Sequence, residues 1–383
     1  MLSQRILGER LLGRCLICGD ESPLTADRLG VCLKCVRRRP EEAVEIARRV
    51  HADTRMAFGL PPAPPRDPDG SPCGICANYC RIGPGEKGFC GLVLNPNGLL
   101  TRLGGTPEKG LLEWYYDPLP TNCVAWWFCP GCTGSGYPKY AYKPSVEEGY
   151  ANLAVFYGSC SFDCLFCQNW HFRNMSQILK PLVSSEELAS KIDRNVSCVC
   201  FFGGDPSTQM MHALETSRIA LQKAEEEGRM LRICWETNGN MSRGFALKAA
   251  ELSLKSGGIV KFDLKVWDEN LSRVLCGVSN RAALDNFREI GERFFNQRRE
   301  VPVLTASTLL VPGYVDAVEV ENIARFIAET NPKIPYTLLA FYPQYVMDDL
   351  PTTSRRQAHE CYEAARRHLE KVRIGNPHLL SGE

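Results

Sequence analysis

The chain has 383 residues, 44% of them hydrophobic, enough for one large core with smaller modules beside it. Its 45 Lys and Arg stand against 44 Asp and Glu, and a net charge of +1 excludes an overall field drawing it to nucleic acid or an anionic membrane. The opening MLSQRILGERLLGRC has charges inside its apolar stretch and no small-residue cleavage site, and no later run is long enough to cross a bilayer, so a soluble cytoplasmic protein is expected. Its 19 cysteines sit mostly in tight groups, which suits metal ligation in a reducing, anaerobic setting better than disulfides.

Residues 1–58 carry CLIC and CLKC, then EEAVEIARRVHADTRM after Pro40, with Val44, Ala47 and Val50 at helical spacing. Cys15, Cys18, Cys32 and Cys35 give C-x2-C-x13-C-x2-C, slightly tighter than the commonest zinc ribbon. Four thiolates closing one zinc ion would staple this unit and leave no open position for chemistry. The run Arg37 to Arg39 reads as a solvated face. Residues 59–72, proline-rich, are expected to be a stiff linker that does not pack. Residues 73–150 form a second cysteine-rich region whose elements the pattern does not assign. There Cys73, Cys76, Cys80 and Cys90 suit either zinc or a second, auxiliary iron–sulfur cluster. Cys123, Cys129 and Cys132 suit an auxiliary cluster, a substrate mouth or buried thiols.

From residue 151 to 383 apolar, β-branched runs alternate with amphipathic helical stretches. The runs fall at 152–158, 198–203, 231–237, 259–265, 304–313 and 336–343, and Ser184 with Glu187 forms a capping box between the first two. Six strands with helical crossovers predict an α/β fold, a partial (β/α)6 barrel of TIM type, whose site lies at the C-terminal ends of the strands. Those ends read GGDP, ETNG, DLK, VPG and FYPQ, polar or glycine-rich breaks at the same place in successive strands. Cys198, Cys200, Cys234, Cys276 and Cys361 are expected in the core, and His51, His212, His359, His368 and His378 have no paired ligands.

After the first run comes GSCSFDCLFCQNW. Cys160, Cys164 and Cys167 can wrap one cubane iron–sulfur cluster from a single loop and leave its fourth iron open. His171 would instead close a zinc site of three cysteines and one histidine.

CSFDCLFC resembles the CxxxCxΦC signature of the radical S-adenosylmethionine (SAM) enzymes. FDLKVWDENLSRVLCGVSN, ETNG and VPGY resemble segments of the pyruvate formate-lyase-activating branch, over roughly residues 150–345. CQNW, FFGGDP and the stretch from CGIC to CRIGPGEKGFCG are similar to the radical enzyme of the AmmeMemoRadiSam group. The resemblance implies a [4Fe–4S] cluster on Cys160, Cys164 and Cys167, with SAM chelating the open iron. It implies Gly203, Gly204 and Asp205 at the methionine amino group, and Thr237, Asn238, Asp263 and Lys265 at the carboxylate and ribose. It places Phe166 and Val311 at the adenine. Asp205 stands where the superfamily usually has glutamate, and Glu236 where the activating branch has aspartate before Thr-Asn-Gly. The implied activity is reductive cleavage of SAM to a 5′-deoxyadenosyl radical that takes hydrogen from a protein or small molecule. A glycyl-radical-enzyme activase would take it from a backbone glycine of a partner; a radical methylase is the alternative. An electron donor such as flavodoxin or ferredoxin is the implied partner. From a different class, a zinc-stapled binding protein would use every cysteine group for zinc.

Overall fold

The structure is a computed structural model that describes residues 12–382, so most of the opening segment expected to lack a leader lies outside the described residues. Eight strands build the central sheet: β1 Gly110–Pro118, β2 Ala151–Tyr157, β3 Val196–Gly203, β4 Arg232–Thr237, β5 Val260–Asp263, β6 Leu304–Leu310, β7 Tyr336–Ala340 and β8 Val372–Gly375. Strands β2 to β8 lie side by side in chain order and parallel, while β1 runs antiparallel beside β2 and is extended by the short strand Leu182–Val183. The two edges do not meet, so the barrel is partial, as expected.

Alternation along the strands decides what faces where. On β3 and β4, Val199, Phe201, Ile233 and Trp235 are wholly buried, with the Phe201 and Trp235 rings 4.8 Å apart. The intervening Cys198, Cys200, Phe202, Cys234 and Glu236 line cavities inside the barrel. Helices Met210–Glu226, Arg243–Ser256, Arg281–Phe294 and Ala317–Thr330 supply crossovers. The capping expected at Ser184 is present: its Oγ accepts from Glu187 N at 3.1 Å. Asp268 and Asp316 cap their helices in the same way. No helix among the described residues is long and apolar enough to cross a membrane.

All six expected strands form, and β8 and the helix Glu269–Cys276 are additional. Two expectations need correcting. The sheet does not begin at residue 151, because β1, from the region left without elements, pairs with β2 along its length. The proline-rich stretch does pack: Leu60 is buried, Arg55 Nε donates to Pro61 O at 2.6 Å, and Arg81 Nε donates to Asp67 O at 3.1 Å. Covered backbone carbonyls must find donors, and these two arginines supply them.

The N-terminal unit is anchored at two places. Tyr314, at the end of VPGY, donates its hydroxyl to Val31 O at 2.8 Å and accepts from Ala26 N at 3.0 Å, while Arg37 forks onto Asp316 at 2.8 Å. The other anchor is Asp163, wholly buried between the first two cysteines of the three-cysteine loop. Its Oδ2 meets His51 Nδ1 at 2.8 Å and accepts from Thr54 Oγ1 at 3.3 Å; its Oδ1 accepts from Arg173 Nη2 at 2.7 Å, with Arg55 Nη1 at 3.6 Å. Residues 51, 54 and 55 belong to the helix Pro40–Met56, and Arg173 to the helix Phe172–Ile178. Burial alone would raise the Asp163 carboxyl. The His51 hydrogen bond and the charges of Arg173 and Arg55 outweigh it and hold the group well below the ordinary carboxylate range.

Replacing Asp163 by Asn leaves two buried guanidinium groups without their anion, and should lower the stability of the metal-free protein by about 3–5 kcal/mol at pH 7. Because the folded carboxyl titrates below its unfolded value of about 3.9, its contribution is complete above that pH and fades as pH falls through it. Denaturant unfolding of wild type and Asp163→Asn from neutral pH downward checks this. The gap should hold until about pH 4 and then narrow; equal stabilities at pH 7 would contradict the role given to Asp163.

Candidate active site

The loop that follows β2 is held from both sides before any metal is considered. Asp163 N and Leu165 N donate to Cys276 O and Leu275 O, each at 2.9 Å, and Val346 N donates to Leu165 O at 3.0 Å. From the second cysteine-rich region, Asn78 Nδ2 donates to Ser161 O at 2.7 Å and is itself held by Asn240 Nδ2 at 3.2 Å. Ala77 N donates to Asn240 O at 2.8 Å, so CGICANYC docks on ETNGNM and on the cysteine loop together.

Cys160, Cys164 and Cys167 all line one cavity of about 160 Å³ at the C-terminal ends of β2 to β7. Also on its wall are Phe166, Gly203, Gly204, Asp205, Glu236, Thr237, Asn238, Asp263 and Lys265. The structure thus brings together every sequence-predicted residue of this site except Val311. That residue is wholly buried and off the cavity wall, and Leu309 takes its place. The reason is local: β6 ends at Leu310 and the chain turns, with Tyr314 N and Val315 N donating to Val311 O, so position 311 leaves the strand's alternation. His171 is exposed, stacks on Phe156 with centroids 5.8 Å apart, and does not line the cavity; it does not close the three-cysteine site.

Asp205 is used differently from expectation. It is 4% exposed, and its carboxylate accepts from Ser207 N at 2.8 Å, Thr237 Oγ1 at 3.0 and 3.1 Å, and Asn238 N at 2.6 Å. Burial raises it, against those hydrogen bonds. Asp205 therefore braces the turn after β4, and that turn aims Asn238 Nδ2 at Cys160 Sγ, 3.5 Å away. Gly203 has φ +106°, and a Cβ there would sit 2.5 Å from Tyr157 N; one on Gly204 would sit 2.4 Å from Ser159 O. Only glycine lets the end of β3 lie this close to the backbone leading into the cysteine loop.

Asp263 Oδ2 pairs with Lys265 Nζ, whose ammonium lies 5.9 Å from the centre of the Phe166 ring. Burial would lower Lys265, and the charge of Asp263 overrides it, keeping the lysine raised and protonated. Asp263 Oδ1 is buried and has no hydrogen-bond partner. The sequence did not single out Phe162, Gln168, Asn169, Phe172, Arg173, Phe202, Leu309 and Leu339, which complete the wall. CQNW and the inward positions of β6 and β7 held the available signal.

Elsewhere, Cys15, Cys18, Cys32 and Cys35 bring their sulfurs within 4.8 Å of one another, an arrangement that can hold a metal ion. Tetrahedral bonds of about 2.3 Å put zinc-bound sulfurs about 3.8 Å apart, and Cys18 and Cys32 stand at 3.9 Å. Cys73, Cys76, Cys80 and Cys90 share a second small cavity with Arg102. Among the described residues only the first group closes to single-ion spacing.

Residues 154–327 match the family model described as the Radical SAM superfamily. An uncharacterized protein of Methanocaldococcus jannaschii is 24% identical over 290 residues, 73% of this chain and 73% of its own length. Another protein of that organism, whose name assigns it by inference as a glycyl-radical enzyme activating enzyme, is 29% identical over 193 residues, 48% of this chain; the chain spans 64% of its length. The crystal structure of a domain of pyruvate-formate lyase-activating enzyme from Bacteroides vulgatus aligns at 22% identity over 46% of this chain and 98% of that domain, with a TM-score of 0.37. The cofactors the family implies are a [4Fe–4S] cluster and SAM. The residues present fit them: three thiols share one cavity wall, and the unpartnered Asp263 oxygen belongs to a residue of the same wall. The stretch from within β2 to within the helix Ala317–Thr330 is thus a match to the radical SAM superfamily.

Proposed function

We propose that the protein cleaves SAM reductively and uses the product radical to remove hydrogen from a substrate presented at the barrel mouth. The observation that carries this is the meeting of Cys160, Cys164 and Cys167 with the unpartnered Asp263 oxygen around a single cavity. The chemistry supplied by a reduced [4Fe–4S] cluster with SAM, when bound, is one-electron cleavage of the sulfonium to a 5′-deoxyadenosyl radical.

The chain's own residues then bind and orient. The three cysteines hold iron, and Asn238, braced by Asp205, donates to the Cys160 sulfur. A donor on a cluster sulfur tunes its electronics and fixes the loop. Asp263 offers a free acceptor to a hydroxyl or ammonium donor, while Lys265 offers a cation to a carboxylate. Gly204, on the cavity wall, would turn its backbone carbonyl to an ammonium group, while Gly203 O accepts from Asn169 Nδ2 at 3.5 Å. Phe166, Phe172, Leu309 and Leu339 supply the apolar wall for a nucleobase and keep water from it.

The substrate we favour is a polypeptide, with activation of a glycyl-radical enzyme as the specific case; the DLK and GVSN segments and the 29%-identical relative support it. A flavodoxin- or ferredoxin-type protein would deliver the electron. We assign Cys15, Cys18, Cys32 and Cys35 to zinc, as a staple for the unit docked on Asp163.

Reduced, anaerobically reconstituted protein is expected to form 5′-deoxyadenosine from SAM by mass spectrometry, with none from Cys164→Ala. Asp263→Asn should retain its iron and form product at least about tenfold more slowly at limiting SAM, a loss of about 1.4 kcal/mol. No product from wild type carrying a reducible cluster would overturn the proposal. Elemental analysis should find one zinc per chain, lost in Cys15→Ser/Cys35→Ser; iron at that site would overturn the zinc assignment.

A further inference from the structure

Beneath the site just described lies a second, larger chamber of about 410 Å³. Five cysteines line it: Cys198 and Cys200 from β3, Cys234 from β4, and Cys123 and Cys129 from the segment between β1 and β2. Cys200 and Cys234 are register partners on neighbouring parallel strands, so their side chains stand next to each other on the inner face. Asn169, Phe202 and Glu236 line both this chamber and the SAM cavity, so the two are adjacent.

A buried thiol is ordinarily a small core side chain. These five do not pack as one, because their chamber contains a buried ammonium group. Lys261, 3% exposed, donates to Cys200 Sγ at 3.0 Å and Cys123 Sγ at 3.3 Å. Its nearest carboxylate oxygen, on Glu236, is 3.5 Å away and belongs to a side chain one third exposed. Neutral thiols are weak acceptors, and a buried cation needs an anion close by. The other buried cation here, Arg232, already has one: it forks onto Glu147 at 2.8 and 2.6 Å. Lys261 has only that longer, partly exposed pairing, and the thiols touching it are groups that binding to a metal would make anionic. Nor do these thiols converge on one point, since among the described residues only Cys15, Cys18, Cys32 and Cys35 reach single-ion spacing. A cluster of several irons, with thiolates spread around it, suits the chamber better than one ion.

We propose that this chamber holds an auxiliary iron–sulfur cluster inside the barrel, ligated by Cys200, Cys234 and Cys123 with Cys198 or Cys129 as the fourth ligand, and faced by Lys261. The site does not depend on SAM cleavage. It takes up iron and sulfide whether or not the three-cysteine loop is loaded, and its test is made without that loop.

The test uses full-length protein carrying Cys160→Ser, Cys164→Ser and Cys167→Ser, together with Cys76→Ser and Cys80→Ser to silence the other cysteine cavity, reconstituted anaerobically with ferrous iron and sulfide. At least two irons and two acid-labile sulfides per chain should remain, with the visible charge-transfer absorption of a cluster. Adding Cys200→Ser and Cys234→Ser should remove them, with circular dichroism confirming the fold. Lys261→Gln, which keeps every ligand, should alter the EPR spectrum of the reduced cluster, and this second readout stands even where the cysteine variant fails to fold. Iron and sulfide absent from the parent protein, retained in a folded variant lacking Cys200 and Cys234, or giving a spectrum indifferent to Lys261 would each overturn the proposal.

Discussion

A carboxylate with no access to water, Asp163, sits where three parts of the chain meet, and the shape of the cysteine loop depends on it. Taking that charge out of water is unfavourable unless partners surround it closely, and here His51, Thr54, Arg55 and Arg173 do so. Two of the four interactions come from an imidazole and a hydroxyl of the helix Pro40–Met56, and a third from an arginine of that same helix. The N-terminal unit is therefore part of the cysteine loop's support. Its four-cysteine group, more than a hundred residues from the loop in sequence, bears on the loop's geometry through this one helix.

The same economy governs the far side of the site. Asp205 spends its carboxylate on Ser207, Thr237 and Asn238, so that the end of β3 and the turn after β4 form one rigid piece. CGICANYC closes over that piece through Asn78 and Asn240. Polar groups on the wall that are not spent on bracing it are then few: Asp263 and Lys265, paired with each other, and the backbone of Gly204. A rigid wall with a small number of uncommitted polar atoms is what orientation of a reactive cofactor requires.

Much of this was legible in the sequence. Alternation located all six expected strands, and the polar breaks at their ends located the cavity wall, because a parallel sheet delivers every such end to one face. Val311 is off the wall because the chain turns over residues 311–315 directly after Leu310, and strand alternation carries no sign of where a strand stops. β1 was missed because GLLEWYYDP lies among glycines, prolines and aromatics and pairs only with strands more than thirty residues on. The Asp163 network was illegible for a stronger reason: His51 and Asp163 are 112 residues apart, and no sequence pattern links the two. Cys198, Cys200 and Cys234 look like core because an inward position in a barrel strand has the same period as a core position. Only the folded sheet, which brings Lys261 against Cys200, tells the two apart.

The central claim is that the three-cysteine loop leaves one iron open to SAM. EPR of the anaerobically reduced protein, recorded with and without SAM, addresses it most directly. The account predicts a [4Fe–4S]+ signal whose shape changes when SAM is added, a change that disappears with Cys164→Ala. A reduced-cluster signal that stays the same at saturating SAM would contradict it.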